Sequence, residues 1–130
     1  MGIRANVAML VRDVEAGRFV EATDAYYSDD ASTVELTGIV TVGKPALLAK
    51  ERDYQATVES WNHIEVVDVL VDGQMAAIHW KFEITSAGTR LKRDEIALQQ
   101  WSGDGANARI VREQYFTATP DVIPNQQPRR

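Results

Sequence analysis

The 130-residue sequence is long enough for one domain with a real core. Its 45% hydrophobic and 25% charged residues are ordinary for a globular protein, and 14 Lys plus Arg against 19 Asp plus Glu leave a net charge of −5. That balance gives no electrostatic reason to bind nucleic acid or an anionic membrane, and the lack of cysteine excludes disulfides, thiolate nucleophiles and Cys-based metal sites.

No apolar run approaches a membrane span, and "MGIRANVAML" lacks a signal-peptide pattern, so a cytoplasmic chain is expected. Ile3, Val7, Leu10, Val11 and Val14 recur at helical spacing, with Gly17 as the expected C-cap. Phe19, Ala22 and Tyr26 mark a second helix that closes in "SDD". "STVEL" and "IVTV" read as short β-branched strands around "TG". "GKPALLAKERDYQATVES" reads as a third helix, with Pro45 in its first turn, where a missing N–H costs nothing.

From Trp61 the period changes from 3.6 to 2. "WNHIEVVDVLV" and "QMAAIHWKFEIT" flank "DG", and "RLKRDEIALQQW" and "ARIVREQYFTA" flank "SGDGAN", which are two hairpin signals. Three helices followed by a meander of long antiparallel strands make an α+β layout, a single domain over 1–118. The Pro-rich segment 119–130 is expected to be irregular. Ala76, Ile78, Trp80, Phe82 and Ile84 share one strand face, opposite His79, Lys81 and Glu83. The preceding strand is apolar on both faces: Ile64, Val66 and Leu70 on one, Val67, Val69 and Val71 on the other. Something must cover the second face, and a partner subunit is the simplest cover.

"YYSDDASTVEL…TVGKPALLAKERDY", "WNHIEVVDVLVDGQMAAIHWKFEITSAG" and "WSGDGANARIVREQYF" together resemble the SnoaL-like and ketosteroid-isomerase-like branch of the nuclear-transport-factor-2-like superfamily. The resemblance spans residues 2 to about 117 and rests on fold signatures, not on a catalytic motif. It implies a cone-shaped, curved mixed sheet wrapped around three N-terminal helices, with an open-ended pocket and a homodimer. An ungapped match from "SDDA" carries the ketosteroid isomerases' base onto Glu35, whereas a one-residue gap puts Leu36 there. The isomerases' Tyr falls on Val11 and their second Asp near Ala97, so the full steroid-isomerase set is absent.

Glu35 is therefore the candidate base, against a solvent-facing Glu between two core residues. Arg93, Glu95 and Gln99 share a face with Ala97 and Trp101, and Glu113 shares one with Tyr115 on the paired strand. They read either as a solvated salt-bridge ladder or as a polar lining in which Arg93 fixes a carbonyl or anion and holds Glu95 or Glu113. Trp80 and Phe82 complete the candidate ligand-binding set. His63, placed on the same face as Trp61, and His79 lack metal-ligand spacing, and neither a metal nor a cofactor is expected. The functions left open are three. One is an isomerase, cyclase or lyase moving a proton next to a carbonyl. The second is a non-catalytic binder of a small hydrophobic molecule, and the third a dimeric interaction domain.

Overall fold

The computed structural model of the chain describes residues 2–117, so the tail expected to be irregular lies outside the described residues. Helix α1 spans Arg4–Glu15 and buries Asn6, Val7, Leu10 and Val11. Val7, Leu10 and Val11 lie on the apolar stripe that the spacing requires, and Gly17 follows at φ 82, a conformation that glycine adopts without steric cost. Helix α2 covers Phe19–Tyr26 and passes without a turn into strand β1, Tyr27–Val34. Strand β2, Val40–Val42, pairs antiparallel with β1, and helix α3, Lys44–Thr57, follows with Pro45 in its first turn.

Four long strands come next: β3 Ser60–Asp72, β4 Met75–Ser86, β5 Thr89–Ser102 and β6 Arg109–Thr117. Each pairs antiparallel with its neighbour, and β6 then pairs parallel with β1. The result is one six-stranded mixed sheet of order β2-β1-β6-β5-β4-β3, the expected α+β architecture. The core fills the sheet's inner face, where Ala76, Ile78, Trp80, Ala97, Trp101 and Ile110 pack with Ile3, Val7, Leu10 and Val11 of the α1 segment.

Three local expectations change. The helix-to-strand boundary falls before "SDD", which belongs to β1, because Tyr27 is already extended at φ −100, ψ 143. The pairing of β3 with β4 shifts register between Trp61 and His63 and again between Val66 and Asp68. An extra residue at each place reverses the alternation. Trp61 therefore lies opposite buried Ile84 on the inner face, while His63 lies opposite Glu83 on the outer one. Val71 packs inward with Ile64 and Val66, while Leu70 turns outward at 69% exposure. Val69 lies opposite Ile78, on the inner side and not the outer. Part of the apparent double apolarity of β3 is thus one apolar face interrupted by bulges. The outer face still carries Leu70, Ala77, Ile96, Leu98 and Phe116 in adjacent register on four strands.

Candidate functional site

The sheet and helices enclose a cavity of about 550 Å³. Its wall includes every residue that the sequence marked: Glu35, Trp80, Phe82, Arg93, Glu95, Gln99, Glu113 and Tyr115. Alternation on β5 and β6 aims them there, and register brings the strands' polar groups together, with Gln99 opposite Glu113 and Ala97 opposite Tyr115.

Glu113 is the polar floor of the cavity at 2% exposure. Its Oε1 accepts hydrogen bonds from the hydroxyls of Tyr27 and Tyr115, the latter at 2.6 Å. Its Oε2 accepts from Gln99 Nε2 at 2.7 Å, and Trp101 Nε1 donates to Gln99 Oε1 at 3.1 Å. The Glu113 carboxylate, the Gln99 amide and the three donors of this network are thus bonded to one another, as burial demands. Burial pushes the Glu113 carboxyl above the usual carboxylate range, while the bonds from Tyr115, Tyr27 and Gln99 pull it back. Burial likewise drives both tyrosines well above 10, with the Glu113 charge adding to it. Arg93, expected to hold Glu113, is not among these partners.

Glu35 follows the last residue of β1, where Glu35 N donates to Ile39 O at 2.9 Å and Gly38 N to Glu35 O at 2.9 Å. This turn directs its side chain to the cavity mouth. There Lys50 Nζ donates to Glu35 Oε2 and, at 2.8 Å, to Thr33 Oγ1, while Thr33 Oγ1 donates to Glu35 Oε2 at 3.1 Å. The basic partner of Glu35 is thus Lys50. The Glu95 carboxyl sits on β5 opposite Trp80 and accepts no hydrogen bond among the described residues. Desolvation raises it to about 7, the Glu113 charge adds to that and Arg93 opposes it. Glu51 on α3 is similar: burial raises it to about 7, Lys50 lowers it, and Glu113 and Glu35 raise it.

Sequence reasoning missed Tyr27, Lys50, Glu51 and Trp61. Trp61 stacks on Phe19 with centroids 4.4 Å apart and meets Tyr54 and Phe82 edge-on, forming an aromatic wall. His79 bonds Asp94 on the outer face and His63 bonds Glu65 at 3.0 Å. Among the described residues no group of three His, Cys, Asp or Glu could hold a metal ion, and no helix is long and apolar enough to cross a membrane.

The chain is similar to a protein from Mesorhizobium loti provisionally named a SnoaL-like polyketide cyclase, whose name also carries "carbohydrate phosphatase". The TM-score is 0.78 at 25% identity, over 89% of this chain and 99% of that one. A protein of ketosteroid-isomerase-like fold from Catenulispora acidiphila, solved with trimethylamine, matches with a TM-score of 0.72 and 15% identity over 89% and 88% of the two chains. IdmH from Streptomyces antibioticus, provisionally a polyketide cyclase, matches at 0.67 and 16% identity over 88% and 91%. This chain has the SnoaL-like, nuclear-transport-factor-2-like fold. No family model matches the sequence, and no curated relative matches it. Val11 and Ala97, the positions to which the resemblance carries the steroid isomerases' Tyr and second Asp, are buried apolar residues here. The acidic residues here stand elsewhere on the wall, at 35, 51, 95 and 113.

Proposed function

We propose that this SnoaL-like chain binds a small, largely apolar carbonyl compound in its cavity and moves a proton beside the carbonyl, as an isomerase, cyclase or lyase. The observation that carries the reading is Glu95, a carboxyl on the cavity wall with no hydrogen bond among the described residues and a pKa of about 7. A base poised near the working pH combines a useful ionised fraction with proton affinity. Glu95 takes a proton from the carbon next to the carbonyl, the C–H electron pair becomes the enolate C=C bond, and the carbonyl π pair moves onto oxygen. Arg93, two residues away on the same strand face, is the group that meets that oxygen's charge. The proton then returns from Glu95 to carbon, or the enolate carbon attacks a second carbonyl, whose π pair moves onto its oxygen and takes the proton from Glu95. In this reading the base role passes from Glu35 to Glu95, because Lys50 and Thr33 already occupy the Glu35 carboxylate.

The test is α-proton exchange of an aryl methyl ketone in D₂O, followed by NMR. Glu95→Gln is expected to slow it by about 10²- to 10⁴-fold, and Glu35→Gln by much less. Unchanged exchange in Glu95→Gln overturns the assignment. A second reading, a non-catalytic binder, is favoured by one observation: both Tyr27 and Tyr115 bond Glu113. Wild-type exchange no faster than buffer would leave that reading standing. The homodimer belongs to this proposal as well, supported by the outward Leu70, Leu98 and Phe116 at 69%, 38% and 43% exposure. Sedimentation at micromolar concentration should show a dimer that Leu98→Lys dissociates, and a wild-type monomer would refute it.

A further inference from the structure

Among the described residues four carboxyls and two basic side chains line the cavity, so the carboxyls outnumber the cations by two. Lys50 neutralises Glu35. Arg93 is the basic charge acting on Glu95. Glu113 is met by three hydrogen-bond donors. Glu51 and Glu95 have neither a hydrogen bond nor an ion pair among the described residues, and of the two Glu51 is the one whose basic neighbour, Lys50, already pairs with another carboxylate. Tyr54, one turn further along the helix, also lines the cavity and meets Trp61, which stacks on Phe19. A carboxyl that shares a partly dry cavity with electron-rich rings is in an environment that favours an organic ammonium over a neutral or anionic group.

We propose that the ligand of this cavity carries a protonated or quaternary amine, and that Glu51 is its counter-ion, with Tyr54 and Trp61 against the cation. The inference rests on the cavity-binding reading above and adds the ligand's charge to it. It also gives a partner to a half-buried carboxyl that has no hydrogen bond among the described residues. A bound ammonium favours ionised Glu51, so binding expels the proton that this group holds below about pH 7. Affinity for a cation that does not titrate therefore rises from pH 6 to pH 8. Lys50, Glu35, Arg93, Glu95, Glu113 and Tyr115 share the cavity. Of these, Glu95 also titrates near 7 and adds to the slope, so variants at both sites are needed.

The experiment is calorimetric titration with benzyltrimethylammonium and with neopentylbenzene, its neutral isostere, at pH 6 and pH 8. Wild type is expected to prefer the cation by about tenfold at pH 8 and by less at pH 6. Glu51→Gln should lose that preference while still binding the neutral probe, which also shows that its cavity is folded. Glu95→Gln should keep the preference. Equal affinity for the two probes in wild type overturns the amine inference and leaves the cavity-binding reading intact. A preference surviving in Glu51→Gln overturns the assignment of the counter-ion. Failure of both probes to bind overturns the cavity-binding reading and, with it, this inference.

Discussion

The floor and the rim of the cavity each hold a bonded glutamate, yet their physical situations differ. At the floor, Glu113 is 2% exposed and receives three hydrogen bonds, two from phenols and one from an amide. At the rim, the side chains of Glu35 and Lys50 are 31% and 33% exposed, and their ion pair faces water. A buried acceptor is expensive to remove because its donors cannot turn to solvent, whereas a half-exposed pair exchanges protein contacts for hydration at little cost. Groups at the floor therefore hold shape, and groups at the rim adjust to what enters.

The largest effect expected from this contrast is at Glu113. Glu113→Ala strands Tyr27, Tyr115 and Gln99 without their acceptor. The loss should be about 3 kcal/mol or more, read from the urea midpoint. Tyr27→Phe, which removes one donor and keeps the ring, should cost about 1 kcal/mol. If Glu113→Ala cost no more than Tyr27→Phe, the floor would be no more closed than the rim.

The floor was largely legible in the sequence and the rim was not. On β5 and β6 strict alternation holds through Glu95, Gln99, Glu113 and Tyr115, so residue parity reads out the face directly. Tyr27 escaped because α2 runs into β1 with no glycine or proline to mark the junction. The bulges of β3 escaped because a strand with valines at both parities shows no register of its own, which is why Trp61 and His63 were assigned a common face. Lys50 and Glu51 escaped for another reason. Polar residues on a helix that buries only Leu47 read as a solvated surface, and only tertiary packing shows that they line a cavity.

A middle-sized effect separates the carboxyls of the wall from both extremes. Glu51 and Glu95 titrate near 7 in the folded chain, against 4.5 for an ordinary glutamate. Between those values the folded state holds protons that the unfolded chain has released. Their contribution to stability is therefore full below about pH 4.5 and is lost as pH rises through 7. Glu51→Gln and Glu95→Gln should each flatten the decline between pH 5 and pH 8 by about 1–2 kcal/mol, allowing for partial hydration of these half-buried groups. Parallel declines in wild type and both variants would show that neither carboxyl is desolvated.

The smallest effect expected is at the rim itself. Glu35→Gln keeps the side chain's length and its place at the turn while removing the charge that meets Lys50. Lys50 retains Thr33 as an acceptor at 2.8 Å and water on its exposed side. The expected loss is about 0.5 kcal/mol, and a double-mutant cycle with Lys50→Met should return a coupling of the same order. Because the pair faces solvent, 1 M salt should remove most of that difference, whereas the cost of Glu113→Ala should barely change with salt. Salt thus tests the contrast without relying on the size of either energy. A Glu35→Gln loss that matched Glu113→Ala and resisted salt would mean that the mouth closes over the pair, making the rim a second floor.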